Sequence, residues 1–260
     1  MTTELVTVDT TDTVTTITIE QPQTRNALSV PVMEALIDAL EEVAARTDVH
    51  AVVLATAGHV FSSGHDLAEV RAADDEEQQR IFSVCSRLML KVQQIPQPVI
   101  ARVQGVATAA GCQLVATCDL AVAAASARFA TPGVRIGLFC STPMVALSRA
   151  VPRKQAMRML LTGEMVPAER ALAMGLVSDV VPDEDLVAAT DEIARTVAGA
   201  SSATVAVGKR AFYDQIDLPV ERAYEEMTKV MVDNALSPDA REGVGAFLDK
   251  REPQWQHRTH

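Results

Sequence analysis

Three short runs of mostly apolar, strand-forming residues constrain the fold of this chain more than any other feature. They occupy residues 51–55, 99–103 and 120–124. A strand that is apolar along most of its length is buried on both faces, as the strands of a parallel sheet are. The first two runs are each followed by a loop containing glycine and then by a stretch of helical periodicity. The sequence therefore predicts an α/β fold built from two or three strand–strand–helix units.

The two ends of the chain differ from this repeating middle. Residues 5–8 and 14–19 are β-branched and separated by a turn-like segment, which predicts a hairpin at the start. After Pro152, helical periods cover residues 168–174, 184–198, 202–215, 220–235 and 241–249. We therefore predict a main region over residues 1–200 and a helical region over residues 201–260, which packs on the core or on another subunit.

Charge and cysteine content argue against several partners. The formal net charge of −11 repels nucleic-acid phosphates and anionic membrane surfaces, so we expect neither as a partner. The four cysteines form no CxxC pair, and two of them lie in apolar segments, as buried reduced thiols do. The N-terminus has neither a basic region nor an apolar signal segment. Together these features predict a cytoplasmic location.

Three segments place glycines and other small residues where a loop enters a helix. They span residues 61–67, 105–114 and 129–138. A glycine-bearing turn at the start of a helix can leave backbone N–H groups free to bind a ligand oxygen. One such turn alone is common in purely structural roles. The order and spacing of all three segments are a more specific signal than any one of them alone.

In that order, and together with residues 25–28 and 242–251, these segments resemble the crotonase (enoyl-CoA hydratase/isomerase) superfamily over nearly the whole chain. Residues 139–143 and 150–154 add a resemblance to the enoyl-CoA hydratase domain-containing protein 3 group. The resemblance implies a ClpP-like spiral of β-β-α repeats over residues 1–200, holding an acyl-CoA site. It implies that residues 201–260 form a helical trimerisation region, giving a homotrimer or a dimer of trimers. Coenzyme A would be part of the thioester substrate, with no separate cofactor and no metal.

The resemblance also implies an oxyanion hole, a pair of backbone N–H groups that bind the thioester carbonyl oxygen. By motif position these are the amides of His65 and Ala110. Chemistry next to a thioester puts negative charge on that oxygen. Each preorganised donor in a dry site stabilises such a charge by roughly 3–4 kcal/mol.

Two departures from the family pattern concern the catalytic carboxylates. Where the family's hydratases carry glutamates, this chain has Gln113 and Gly133. Hydration needs one group to take a proton from water and another to deliver a proton to carbon, and neither an amide nor a glycine can do so. Gln113 can still hydrogen-bond a water or a substrate carboxylate. We expect slow or absent hydration of crotonyl-CoA, and we expect the double change Gln113→Glu, Gly133→Glu to raise it. The alternative is steric: in a pocket built around glycine, Arg135 or Phe139 could fill the vacated space.

Other side chains near these motifs each have two interpretations. The His65 imidazole could face the substrate, or the residue could be present for its backbone alone. Asp66 could act on the substrate or cap the helix that follows it. Arg135 could attract a substrate carboxylate or form a salt bridge. Cys140 could be a nucleophile or an inert buried thiol.

For coenzyme A itself, the resemblance implies contacts from both ends of the chain. Backbone contacts fall at Arg25, Ala27, His65, Asp66 and Leu67. Phe247 and Lys250 resemble an aromatic and a cation that reach the adenine and a phosphate; the alternative is an ordinary end of an amphipathic helix. Family members often carry a lysine where this chain has Ala68, so the basic character of the site falls to Arg25 and Lys250.

Three functions fit these observations. The first is an acyl-CoA enzyme of the lyase-type hydratase/isomerase class, with residual or redirected chemistry. The second is a decarboxylase of malonyl-type CoA esters, because loss of CO₂ needs oxyanion stabilisation more than a base, and the family's decarboxylases share the Ser-x-Gly-His-Asp turn. The third is a non-catalytic acyl-CoA binding protein. His65 and Arg135 favour an enzyme, whereas the missing carboxylates favour the third function.

Overall fold

The computed structural model describes residues 4–257, which form ten strands, eleven α-helices and three short 3-10 helices. Residues 1–3 and 258–260, the outer ends of the two regions predicted from the sequence, lie outside the described residues. The strands are β1 Val6–Thr11, β2 Val14–Ile19, β3 Ala51–Thr56, β4 Val60–Ser62, β5 Val99–Val103, β6 Val106–Thr108, β7 Leu120–Ala124, β8 Arg128–Ala130, β9 Val166–Pro167 and β10 Asp179–Val181.

The α-helices are α1 Val30–Ala44, α2 Leu67–Ala72, α3 Asp75–Gln94, α4 Ala110–Thr117, α5 Ser141–Ala150, α6 Arg153–Thr162, α7 Ala168–Ala173, α8 Leu186–Ala198, α9 Ser202–Gln215, α10 Val220–Leu236 and α11 Pro238–Asp249. The 3-10 helices are Pro22–Thr24, Pro132–Ile136 and Asp183–Asp185.

Two sheets organise the chain. The larger has the strand order β1-β2-β3-β5-β7-β10 and is parallel except for the β1–β2 hairpin, and the smaller has the order β4-β6-β8-β9 with only β8–β9 antiparallel. Each repeat sends its first strand to the larger sheet and its second strand to the smaller one, and then returns through a helix. The predicted α/β fold of strand–strand–helix units is therefore confirmed.

The apolar runs that carried this prediction lie in the centre of the larger sheet. All six residues of β3 are buried, as expected for a strand covered on both faces. Helix α1 packs against α3, α3 packs against α4, and their apolar faces fill the space beside the sheets. This core holds the smaller sheet and the starts of α2 and α4 in fixed positions.

Two features of the fold differ from the sequence-based expectation. The glycine-containing loop predicted after the first apolar run contains the short strand β4. Helices α5 and α6 were not predicted, because Pro143 and Pro152 stand at their starts and interrupt the helical pattern. Proline is nevertheless compatible with the first turn of a helix, where its missing N–H has no partner to lose.

The helical C-terminal part is tied to the sheet core by a buried charge network. The Lys209 ammonium on α9 lies 2.8 Å from an Asp119 carboxylate oxygen, and the two side chains are 5% and 15% exposed. Tyr213, one turn further along α9, donates its hydroxyl to the other Asp119 oxygen at 2.8 Å. Lys209 also donates to two backbone carbonyls, so each buried charge has its partners.

Candidate active site

The three glycine-bearing segments meet at one edge of the smaller sheet. Each segment starts in or just before one of the strands β4, β6 and β8, which are neighbouring parallel strands, and continues into the loop after that strand. Because the carboxyl ends of parallel strands point the same way, the loops that leave them converge. The sequence motifs are therefore brought together by sheet topology.

The turns after β4 and β6 touch at the predicted oxyanion hole. Gly64 has a φ of +91°, and a Cβ placed on it would lie 2.8 Å from the Ala109 Cβ and 3.2 Å from the Ala110 nitrogen. Only glycine fits this approach, which brings the amide of the next residue, His65, towards that of Ala110. Within residues 4–257, neither amide donates a hydrogen bond to another protein atom. Both N–H groups therefore keep the capacity to bind a ligand oxygen.

Backbone strain accompanies the second amide. Ala109 precedes Ala110 with a φ of 50° and a ψ of −118°, a conformation that residues with a side chain rarely adopt. Its own N–H donates to the Ala130 carbonyl at 2.9 Å, which fixes the turn against β8. Strained residues of this kind cost about 1–3 kcal/mol and cluster at functional sites.

A cavity of about 620 Å³ opens beside this turn. It is lined by both oxyanion segments, by the 3-10 helix Pro132–Ile136 and by the loop and helix start that follow. Its wall is largely apolar, with Phe82, Ile136, Leu138 and Phe139 among the contributors. Phe82 comes from α3 and was not predicted as a site residue. In the sequence it appears only as one apolar residue in the helical repeat of α3, which does not indicate a cavity. A pocket of this size and character suits an acyl group.

The His65 imidazole is held within the protein and does not reach out to solvent. Both ring nitrogens are buried and have no hydrogen-bond partner among the described residues, and the ring lies edge-on to Phe82 with centroids 5.3 Å apart. Burial lowers the pKa of the imidazole and the nearby Leu28 backbone opposes this only in part, so the neutral form of the ring is favoured at pH 7. In this arrangement His65 offers its backbone amide to the cavity, and its ring nitrogens are enclosed.

The two positions of the missing glutamates lie in different surroundings. Gln113 is only 4% exposed and is not among the residues that line the cavity; its amide oxygen lies 3.8 Å from the Cys85 Sγ on α3. Gly133 does line the cavity, but a Cβ placed on it would lie 1.9 Å from the Leu138 carbonyl oxygen. The backbone of the following loop therefore occupies the space that a side chain at position 133 needs, so a glutamate there requires this loop to shift.

Two further candidates from the sequence line the same cavity. Cys140 is buried, and burial raises the pKa of its thiol, so the thiol is protonated and poorly nucleophilic at neutral pH. Arg135 is exposed and directs its Nε to the Thr162 carbonyl at 3.2 Å. No Asp or Glu side chain is among the residues described as lining this cavity.

The candidates for coenzyme A contacts fall into two groups. Residues 25–28 run beside the oxyanion turn, since Ser63 N–H donates to the Arg25 carbonyl at 3.0 Å and Leu28 N–H donates to the Gly64 carbonyl at 2.8 Å. Ala27 is buried within this segment, and Leu67 is 56% exposed at the cavity wall. The Asp66 carboxylate accepts from Ala68 N–H at 2.8 Å and caps α2.

The second group is Phe247 and Lys250 at the end of α11. Phe247 is 82% exposed, and neither residue is among those lining the cavity. A single chain therefore does not bring them to the oxyanion turn. Among residues 4–257, no cluster of three metal-ligating side chains occurs, and no helix is both long and apolar enough to span a bilayer.

Comparison with known proteins gives consistent similarities. A family model described as enoyl-CoA hydratase/isomerase matches residues 9–258. The human protein named enoyl-CoA hydratase domain-containing protein 3, mitochondrial, is 47% identical over 95% of this chain and 82% of its own length. Its Xenopus laevis counterpart is 46% identical over 93% of this chain and 82% of its own length.

Solved structures agree with the sequence comparison. A structure described as enoyl-CoA hydratase from Mycobacterium smegmatis has a TM-score of 0.95 at 48% identity, covering 97% of this chain and 99% of that one. The human domain-containing protein 3 structure also has a TM-score of 0.95, at 44% identity over 97% of this chain and 100% of that one.

These relatives correct one prediction. The cytoplasmic location expected from the sequence is contradicted, since the vertebrate relatives are named mitochondrial. The four cysteines are free, so the fold uses no disulfide, and the composition is acidic. Neither property separates the cytoplasm from a mitochondrion.

Proposed function

Because the chain belongs to the enoyl-CoA hydratase/isomerase family, we propose that it binds an acyl-CoA thioester and stabilises negative charge on the thioester oxygen, without ordinary hydration. The observation that carries this proposal is the pair of backbone amides at His65 and Ala110. Both lack an acceptor within residues 4–257, and both residues line one largely apolar cavity. A thioester oxygen seated between them would receive two hydrogen bonds from a rigid turn.

The backbone donors account for charge stabilisation but not for proton transfer. When an enolate forms at Cα, its charge moves to the thioester oxygen, where fixed N–H groups stabilise it without reorganising. Hydration additionally needs a base and an acid near the double bond. The cavity wall offers an enclosed neutral imidazole at His65 and a protonated thiol at Cys140 in their place. These observations support oxyanion chemistry and disfavour hydration.

A second candidate function, decarboxylation of a malonyl-type CoA ester, is favoured by the lack of Asp and Glu among the described lining residues. In that reaction the bond between Cα and the carboxylate breaks and CO₂ leaves. The electron pair remains as the enolate held by the two amides, and a proton from water completes Cα. No base is needed, so the oxyanion hole alone supplies the main catalytic effect.

We expect calorimetry to detect binding of acetyl-, crotonyl- and malonyl-CoA, because the backbone donors do not depend on the missing carboxylates. Mass spectrometry of the same mixtures reads out the chemistry: acetyl-CoA formed from malonyl-CoA supports decarboxylation, and unchanged malonyl-CoA removes that candidate. Absence of binding by all three esters at millimolar concentration would contradict the proposed function itself.

The helical C-terminal part supports assembly of several copies. Helices α9 to α11 expose large apolar side chains, including Phe212, Tyr224, Met231, Leu236 and Leu248. Apolar surface of this extent favours burial against another subunit. We propose a homotrimer or a dimer of trimers, in which Phe247 and Lys250 reach the coenzyme A of a neighbouring copy. A monomeric mass by light scattering at micromolar concentration would contradict it.

A further inference from the structure

Arg135 is a guanidinium in the wall of the cavity with no carboxylate partner among the described residues. Its Nε donates to the Thr162 carbonyl at 3.2 Å, and a Cβ placed on Gly163 would lie 3.1 Å from the same nitrogen. The side chain is therefore fixed by one N–H and by close packing against α6. The remaining four N–H groups of the fork form no hydrogen bond within residues 4–257.

An acidic residue follows closely on the Thr162 carbonyl that Arg135 contacts, but it pairs with other arginines. Glu164 lies only two residues beyond Thr162, yet its carboxylate pairs with Arg158 and Arg170, both at 2.7 Å. Arg135 shares this lack of a carboxylate partner with other exposed arginines among the described residues, such as Arg87, and differs from Arg87 in lining the cavity. An arginine left without one in this part of the surface keeps its capacity for an external anion.

The apolar residues beside Arg135 in the cavity wall indicate that its anion belongs to a larger, partly apolar ligand. Ile136, Leu138 and Phe139, which follow Arg135 along the wall, are apolar and face a cavity that also holds the enclosed ring of His65. An unpaired guanidinium in an apolar wall binds a planar carboxylate through two parallel N–H groups.

From this juxtaposition we infer that the acyl group taken by this site carries a carboxylate, and that Arg135 binds it. The inference rests on the proposed function, because it concerns the acyl end of the same thioester. Ala110 is fully buried whereas Arg135 is exposed, so the thioester and the carboxylate lie at different depths. The ligand class is a dicarboxylic acid linked to coenzyme A through one of its two carboxyl groups.

Coenzyme A itself carries phosphates, and the same guanidinium could bind one of them. The two sources of negative charge are separated by comparing esters of equal length. Glutaryl-CoA and valeryl-CoA share the coenzyme and the five-carbon acyl chain and differ in the terminal carboxylate. A contact to the acyl carboxylate strengthens the binding of glutaryl-CoA only, whereas a contact to a phosphate strengthens the binding of both esters.

The test is calorimetric titration of the full-length protein with both esters, before and after Arg135→Gln. We expect glutaryl-CoA to bind about 10-fold or more tightly than valeryl-CoA, the range for a hydrogen bond to a charged group. We expect Arg135→Gln to remove that preference and to leave valeryl-CoA affinity unchanged. The control is Arg87→Gln, since Arg87 is also exposed but lies on α3 outside the cavity lining, and it should keep the preference.

Equal affinity for the two esters in the unchanged protein would overturn the inference and leave the proposed function standing. An equal loss of affinity for both esters in Arg135→Gln would also overturn it, since Arg135 would then bind the phosphates. If neither ester binds at millimolar concentration, the proposed function fails together with the inference. A thermal unfolding midpoint unchanged by Arg135→Gln shows that the variant is folded, as expected for an exposed side chain.

Discussion

Hydration of crotonyl-CoA by this protein should be at least about 10⁴-fold slower than by a family hydratase with both glutamates. General acid and general base contributions are each worth about 10²–10⁴-fold, so the loss of both removes several orders of magnitude even with the oxyanion hole intact. Gln113 is turned towards Cys85 and Gly133 has no side chain, so neither can hold or activate water in the cavity.

The rate is measured from the ultraviolet absorbance of the conjugated thioester, with a glutamate-bearing hydratase assayed in parallel. A rate ordinary for the family would contradict this account of the missing carboxylates. Asp66 would then be the first residue to change, because its carboxylate is close to the oxyanion turn. His65 would be the second residue to change, because a movement of its side chain could free the enclosed ring nitrogens for proton transfer.

Gly133→Glu should destabilise the protein and fail to restore hydration, whether alone or combined with Gln113→Glu. A Cβ at position 133 would lie 1.9 Å from the Leu138 carbonyl oxygen and 2.9 Å from the Cys140 Sγ. A backbone oxygen cannot move aside as a flexible side chain can, so the loop from Gly133 to Cys140 must shift. We expect a cost of at least about 3 kcal/mol, the upper range for overpacking. For a chain of this size that lowers the unfolding midpoint by roughly 6–12 °C.

The control for the added glutamate is Gln79→Glu, at an exposed position of α3 outside the cavity lining and outside the helical C-terminal part. A surface change of this kind should leave the unfolding midpoint nearly unchanged. Differential scanning calorimetry compares the two variants. An unchanged midpoint in Gly133→Glu, together with recovered hydration in the double variant, would show that the loop after Gly133 yields and that the geometric argument is wrong.

The sheet architecture could be predicted from sequence because its signals are local. The apolar runs at β3, β5 and β7 and the long helical period of α3 require no knowledge of distant contacts. The convergence of the loops after β4, β6 and β8 depends instead on the parallel pairing of these three strands in the smaller sheet, which only the structure shows. The positions of the oxyanion amides came from resemblance, since a backbone donor leaves no trace in side-chain pattern.

What the sequence could not show depends on contacts across the fold. The sequence does not show whether a glycine has open space around it or packs against a backbone atom. At position 133, only the location of the Leu138 carbonyl oxygen in the fold shows that the space is occupied. The direction of the Gln113 amide depends on Cys85, 28 residues away along the chain. The enclosed state of the His65 ring depends on Phe82, and the strain at Ala109 is a backbone angle. These contacts decide which chemistry the site supports.

The central claim is that the amides of His65 and Ala110 bind a thioester carbonyl oxygen, and one comparison of affinities tests it. Acetyl-CoA and its thioether analogue S-ethyl-CoA share the coenzyme and nearly the same shape, but only acetyl-CoA has the carbonyl. Two hydrogen bonds of ordinary net strength, about 1–3 kcal/mol together, predict that calorimetry finds acetyl-CoA bound roughly 5- to 150-fold more tightly. Equal dissociation constants for the two ligands would contradict the oxyanion hole and the function proposed from it.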